Sequence, residues 1–408
     1  MHRLIWLWLL LPSSFGTALS SPPRGLSYND VAKLALKRYQ KNGGALHEND
    51  VPPMEGRVAV ITGAAGGIGG ELSKIVFRLG GTVVALDRDT TGLKELQTSL
   101  IETCYGATGE DNNIENKRNR ILTIPTKHED LESVKEASEI IISRYDHIDL
   151  LVNNAGISYS KDPMISAHGK DLAFTVNYLS HFLLTEKLLP RMSNEGRIVH
   201  VTSTYHWKVD GSELLPDPVN GIPIAYQSDA KLQSKKHVQR SYANTKLAQI
   251  WHSRSIAEAL PDGVQCSSVC VCPSWAATGI AGAEGKQFLE KYAFSISNCG
   301  PGITSSINGM LRTDEELGDA LNDGKSFVAN SRVLNFFIGR TLLSSKLVSK
   351  ILGWRDTLVD FLGAIILFGQ KYTHKDFIIQ QTSPESHNDK EKRDKFYKWS
   401  KEEVKKWM

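Results

Sequence analysis

An apolar run, Val58 to Thr62, breaks abruptly into Gly63-Ala64-Ala65-Gly66-Gly67-Ile68-Gly69, and this junction constrains the chain more than any other feature. A strand that turns at once into a helix, with its backbone drawn close to a bulky anion, needs positions without side chains. Gly63, Gly67 and Gly69 supply them. The start of such a helix presents free N–H groups to a diphosphate. Glycine spacing alone is a weak signal, but an acidic residue at the end of the next apolar run, Asp87, strengthens it.

Beyond Arg57 short apolar runs alternate with segments of helical character: Val58 to Thr62, Val83 to Leu86, Ile121 to Ile124, Ile148 to Val152, Ile198 to Thr202 and Gln265 to Cys272. This pattern predicts an α/β fold, a doubly wound parallel sheet with helices on both faces. The 408 residues, 41% of them hydrophobic, suffice for one domain of about 250 residues with additions. Lys and Arg total 48 against 45 Asp and Glu, a net charge of +3, so nothing electrostatic points to nucleic acid. Small-molecule chemistry is the better expectation. Of the five cysteines, Cys266, Cys270 and Cys272 fall at even separations on one strand face and read as buried thiols, with no metal site expected.

Tyr242 and Lys246 lie one helical turn apart and share a face. A free tyrosine titrates near pH 10, but an adjacent ammonium stabilises the phenolate and makes Tyr242 a usable general acid/base. Taken alone, such a pair is an ordinary surface contact between neighbouring helical turns. Ser203 ends the run Ile198 to Thr202, where its hydroxyl can bind a reacting oxygen; alone it reads as a turn or capping serine. Asn153-Asn154-Ala155-Gly156 follows Ile148 to Val152 and can wall a cofactor, or simply make a turn. Asp87 suits the ribose diol of NAD, whereas Arg88 suits the 2′-phosphate of NADP; the glycine loop has no basic residue, so NAD is favoured.

In chain order and spacing, Thr62 to Gly69, Asn153 to Gly156, Ser203 and Tyr242 with Lys246 resemble the short-chain dehydrogenase/reductase family. Phe174 to Thr185, together with Ser383-Pro384-Glu385, Lys398-Trp399-Ser400 and Glu402, resembles more narrowly its retinol-dehydrogenase-like branch. The likeness covers Met54 to Gly279 plus the tail. It implies a Rossmann-type sheet in which Gly63, Gly67, Ile68, Gly69, Asp87, Arg88, Asn153, Ala155, Gly156, Tyr242, Lys246 and Thr278 hold NAD or NADP. It also implies catalysis by Asn177, Ser203, Tyr242 and Lys246, with Asn177 holding a water that links Lys246 to solvent. Ser180 and Ser274 stand where the family usually has Gly, and Thr126-Lys127 where an acidic adenine contact is common.

The implied activity is NAD(P)-dependent interconversion of an alcohol and a carbonyl on a lipophilic substrate of retinoid, steroid or isoprenoid type. Two rivals stay open: a light-dependent pigment reductase of the protochlorophyllide type, and a non-catalytic, dinucleotide-sensing membrane protein.

The organisation expected is a signal peptide or anchor over 1–20, a linker with a short helix over 21–53 and an NAD(P)-binding catalytic domain over 54–332. A hydrophobic amphipathic insertion over 333–378 and a helical tail over 379–408 complete it. Leu4 to Leu11 is too short to span a bilayer, which takes about 20 apolar residues, and with Arg3, Ala18 and Ser20 it has a secretory layout. A buried N-terminal helix is the alternative. The destination expected is the endoplasmic reticulum or another secretory-route membrane, with a plastid reached by that route as the alternative. Val333 to Gly369 mixes apolar residues with Arg340, Lys346, Lys350 and Arg355; it reads equally as an interfacial helix pair making peripheral membrane contact or as a lid over the pocket. Gly106 to Arg120 is expected to be a flexible loop, and Thr204 to Ser241 a lid or pocket wall. Homo-oligomerisation is left open.

Overall fold

The structure is a computed structural model that describes residues 54–103, 114–158, 164–228, 235–273, 276, 278, 304–311, 317, 326–329 and 378–408. The N-terminal 53 residues, Val333 to Gly369 and Ser274 lie outside the described residues. The chain alternates as expected: β1 (Val58–Thr62), α1 (Gly67–Arg78), β2 (Thr82–Asp87), α2 (Thr90–Thr103), α3 (Ile114–Asn119), β3 (Ile121–Pro125), α4 (Leu131–Arg144) and β4 (Ile148–Asn153). After β4 come α5 (Leu172–Phe174), a π turn (Thr175–Leu179), α6 (Ser180–Leu188) and β5 (Met192–Val201). Then follow α7 (Lys235–Glu258), β6 (Ser267–Cys272), α8 (Thr304–Leu311), β7 (Ser326–Ala329), β8 (Ile378–Gln381), α9 (Pro384–His387) and α10 (Lys390–Val404).

The strands form one sheet in the order β3-β2-β1-β4-β5-β6-β7-β8, parallel throughout except for the antiparallel pair β7–β8. Strand order reverses between β1 and β4, the place where an open parallel sheet leaves a crevice at its C-terminal edge. Side chains of β1 alternate between two cores: Val58 and Val60 join α4, α6 and α7 on one face, Ala59 and Ile61 join α1 and α2 on the other. Burial on both faces explains why the strands read as continuous apolar runs. The three cysteines are free and buried, Cys270 and Cys272 against Ile250 of α7 and Cys266 in the α7-side core.

One expectation is corrected. The Gly106 to Arg120 segment is not loop throughout, because Ile114–Asn119 is helical. Glu115 in its first turn and Lys117 with Arg118 in its last complement the helix dipole, a stabilisation that a search for apolar periodicity overlooks. Two further strands of four residues each complete the sheet, β7, paired on one side with β6 and on the other with the edge strand β8, and β8 itself, so neither carries a long apolar signature.

The C-terminal helix packs into the α7-side core. Phe396, Val404 and Trp407 are buried there, Phe396 stacks on Tyr178 at 5.1 Å between ring centroids, and Trp399 stacks on Phe396 at 5.8 Å. The Tyr178 hydroxyl meets Ser400 Oγ at 2.8 Å. Burying a side chain as large as Phe396 contributes about 2–3 kcal/mol, so the tail is held firmly. The described part of the Thr204 to Ser241 insertion is also core: Val209, Leu214, Ala225 and Tyr226 are buried with Phe174 and Trp251.

Candidate active site

Because the strands are parallel, the segments that follow β1, β4, β5 and β6 emerge at one edge of the sheet. Gly63 follows β1 with φ 66°, a left-handed conformation that costs glycine nothing. A Cβ on Gly69 would stand 2.3 Å from the Gly63 carbonyl oxygen, so the turn closes only on a bare backbone. Gly66 caps α1 without any side-chain hydrogen bond, and space beside it is open. These are the features a pyrophosphate cradle needs: close approach and uncapped N–H groups. Ile68 is buried in the first turn of α1 and anchors it to the core. Thr278 lies beside the turn, its methyl 3.6 Å from where a Gly67 Cβ would stand.

Asp87, at the end of β2, accepts from Ala65 N at 3.0 Å and from Asp89 N at 3.0 Å, so the carboxylate expected at a ribose tethers the glycine turn. Arg88 is mostly exposed and pairs with Glu129 at 4.0 Å. Asn153 turns its amide into the interior, toward Thr185 Oγ1 at 2.9 Å and His200 Nδ1 at 3.4 Å, leaving only its backbone at the sheet edge. Asn154 and Ala155 do the clasping instead. Asn154 Nδ2 donates to Thr62 O at 2.8 Å, and both Asn154 N and Ala155 N donate to Thr62 Oγ1 at 2.9 Å. Gly156 adjoins Asn177, whose Oδ1 would lie 3.4 Å from a Cβ there.

Ser203 caps a short 3-10 turn, Thr204–Lys208, its Oγ accepting from Tyr205 N at 3.3 Å. That turn packs against α7, and the Tyr205 ring meets the Tyr242 ring edge-on at 5.7 Å. Tyr242 is half-buried. Lys246 is clasped twice to the end of β5: its Nζ donates to Val201 O at 2.9 Å and its carbonyl accepts from Thr202 Oγ1 at 2.9 Å. Its ammonium lies 5.4 Å from the centroid of the Tyr242 ring, and burial lowers its pKa to about 8. A cation below Tyr242 favours the phenolate, which is what a tyrosine acid/base requires.

Asn177 stands in the π turn, a distortion that recurs at functional sites. Its side chain grips the segment after β4, Oδ1 accepting from Ile157 N at 2.8 Å and Nδ2 donating to Ile157 O at 2.9 Å and Thr245 Oγ1 at 3.2 Å. Its carbonyl accepts from Gln249 Nε2 at 2.8 Å. Ser180 bonds Val176 O and His128, and Thr126 Oγ1 bonds Ile124 O. Among the described residues no cluster of His, Cys, Asp or Glu forms a metal site.

Three participants escape a motif-based reading. Gln249 lies one turn beyond Lys246; His206, three residues after Ser203, contacts the Ser203 carbonyl through Nδ1 at 2.6 Å; His181 bridges Thr62 Oγ1 and Asn177 O at 2.9 and 3.0 Å. The spacing of the first two from motif residues is the only signal that marks them.

Residues 57–210 match the family model for short chain dehydrogenases. An uncharacterized oxidoreductase of Schizosaccharomyces pombe is 32% identical over 225 residues, 52% of this chain and 58% of that protein. Human retinol dehydrogenase 13 is 29% identical over 303 residues, 72% of this chain and 82% of that protein. A solved short-chain dehydrogenase/reductase structure from Brucella melitensis matches at 22% identity and a TM-score of 0.43, covering 59% of this chain and 82% of that one. The chain spans about three-fifths of the length of several other curated relatives it matches. With the glycine turn, the sheet order and the Ser203, Tyr242 and Lys246 constellation at one edge, residues 57–210 carry the short-chain dehydrogenase fold, and the chain is similar to oxidoreductases of that family, retinol dehydrogenases among them.

Proposed function

We propose that the protein interconverts an alcohol and a carbonyl on a lipophilic substrate, using NAD or NADP. The observation that carries this reading is the buried Lys246 ammonium, 5.4 Å from the Tyr242 ring and clasped to the end of β5, two residues before Ser203. In this reading Tyr242 gives its proton to, or takes it from, the substrate oxygen, and Ser203 Oγ orients that oxygen by a hydrogen bond. Lys246 biases Tyr242 toward the phenolate and donates to the ribose. Asn177 holds the segment after β4 against α7. The dinucleotide, when bound, supplies the hydride chemistry. The bare turn at Gly63, Gly66 and Gly69 fits its pyrophosphate, and Asp87 at the end of β2 supports NAD over NADP.

A lipophilic substrate of retinoid, steroid or isoprenoid type is supported by the likeness to retinol dehydrogenase 13 and by Tyr205, an aromatic wall beside Tyr242. Peripheral attachment to a secretory-route membrane through the apolar, basic stretch Val333 to Gly369 suits such a substrate. The test is to incubate purified protein and either cofactor with a panel of lipophilic alcohols and ketones while following nicotinamide absorbance. Turnover of at least one compound, abolished in Tyr242→Phe, is expected. Silence across the panel with both cofactors, or turnover indifferent to Tyr242, would overturn the reading.

A further inference from the structure

Gln249 is buried on α7, one turn beyond Lys246, and its carboxamide lies between two partners of opposite character. Oε1 accepts from Lys246 Nζ at 3.1 Å, and Nε2 donates to the main-chain oxygen of Asn177 at 2.8 Å. An ammonium can only donate and a carbonyl can only accept, so these partners fix which way the amide faces. The chain of bonds continues. The same Asn177 oxygen meets His181 Nδ1 at 3.0 Å, and His181 Nε2 meets Thr62 Oγ1 at 2.9 Å, at the head of the glycine turn. With Nδ1–H directed at a carbonyl, a neutral His181 ring offers Nε2 as acceptor to the Thr62 hydroxyl.

We propose that Gln249 is the positioning residue of Lys246, its carboxamide tying the ammonium to the π-turn carbonyl of Asn177 and, through His181, to the turn that receives the dinucleotide. This rests on the oxidoreductase reading and names the device that holds its lysine. A lysine side chain is long and flexible, and one acceptor alone would let it swing. Val201 O and Gln249 Oε1 together take two of its three N–H groups and leave the third for a ribose hydroxyl.

Among the described residues the groups around Lys246 offer it no carboxylate: Tyr242 on its own helix, His181 on α6, His200 on β5, and Cys270 and Cys272 on β6. Burial holds His181 and His200 neutral and pushes the Cys270 thiol up to about 12. Solvation of the buried charge therefore falls to the acceptors Val201 O and Gln249 Oε1.

The experiment compares the full-length wild type with Gln249→Met and Gln249→Glu, both close in volume. The Lys246 Cε resonance, in protein labelled with ¹³C-lysine and assigned by its loss in Lys246→Arg, is titrated by NMR. Gln249→Met should lower the Lys246 titration by about one pH unit, a tenfold change, and Gln249→Glu should raise it. The alkaline limb of kcat should move in the same two directions, with kcat of the Met variant down about 10- to 100-fold. An unchanged Lys246 titration in both variants overturns the proposal, as does a loss of kcat without movement of that titration. Should Gln249→Met fail to fold, Gln249→Glu decides alone by the same shift. A wild type that turns over no alcohol or ketone sinks the oxidoreductase reading, while the NMR titration still decides whether Gln249 holds Lys246.

Discussion

Replacing His206 by Phe should remove a defined share of the protein's sensitivity to acid. His206 is fully buried; its Nδ1 contacts Ser203 O at 2.6 Å and its Nε2 accepts from Ser383 N at 3.1 Å, joining the site turn to the C-terminal tail. One nitrogen must donate and the other accept, so the ring is neutral. Burial lowers its pKa from 6.5 to about 4. Above pH 6.5 neither the folded nor the unfolded chain protonates it, and there is no linkage. As pH falls through the window from 6.5 to about 4, the unfolded chain takes the proton first and stability is lost. Two and a half pH units at about 1.4 kcal/mol each make a loss of about 3 kcal/mol. His128, His181 and His200 act in the same direction, whereas Asp171, pushed by burial up to about 6, acts in the opposite one, because its folded form prefers the proton. The difference between wild type and variant isolates His206 from all of them. At pH 7 His206→Phe should be the less stable by about 1–3 kcal/mol for each partner left unsatisfied, Ser203 O and Ser383 N. By pH 4 that gap should have shrunk by about 3 kcal/mol. The assay is urea unfolding followed by tryptophan fluorescence at several pH values between 7 and 4. A gap that stays constant over that range would refute the reasoning.

Tyr242→Phe should lower kcat at least about 100-fold while dinucleotide affinity, measured by fluorescence titration, stays near wild type; substantial residual turnover would mean that another group moves the proton. Asp87→Ala should raise the ratio of kcat/KM for NADP to that for NAD and should also lower Tm, since Ala65 N and Asp89 N both lose their acceptor; an unchanged ratio would remove Asp87 as the discriminator. Phe396→Ala should cost about 3–5 kcal/mol in chemical denaturation, because it empties a ring that packs among Tyr178, Phe174, Trp251 and Trp399; a loss below about 1 kcal/mol would show that the tail does not depend on it. Deleting Val333 to Gly369 from protein lacking Met1 to Ser20 should reduce co-sedimentation with anionic liposomes; if the parent never sediments, the segment is not a membrane contact, and Phe361→Asp should then raise KM for the lipophilic substrate.

The parts of the fold that a reader of the sequence can find are those whose physics is local. A strand buried on both faces, such as Val58–Thr62, announces itself by an unbroken apolar run, and the turn after it by residues that cannot be replaced without collision, as the 2.3 Å approach at Gly69 demonstrates. The short pair β7–β8 carries no such mark, because strands of four residues are held by neighbours distant in sequence, β6 for β7 and β7 for the edge strand β8. The site divides in the same way. Tyr242 and Lys246 declare themselves through spacing on one helix, whereas Asn153 is ambiguous in sequence: it sits in the right place after β4, but the pleat turns its amide inward to Thr185 and gives the clasping of Thr62 to Asn154. Gln249 and His206 are ordinary polar residues until tertiary structure brings their partners, 72 and 177 positions distant, into reach.

Those long-range partners give the C-terminal tail a larger part in the site than its place in the chain suggests. Ser383 reaches the Ser203 turn through His206, and α10 stacks Phe396 on Tyr178, the residue next to Asn177, while Ser400 bonds the Tyr178 hydroxyl. One contact lands beside the group assigned to orient the substrate oxygen, the other beside the carbonyl to which Gln249 ties Lys246. Both lie on the α7-side face of the sheet, in the core that holds α6 and α7 together. A buried core is close-packed and transmits small displacements instead of absorbing them, so losing either contact shifts the π turn or the Ser203 turn. The tail thus bears on the placement of Ser203 and Asn177, and its docking and the alignment of Ser203 and Lys246 are one packing problem.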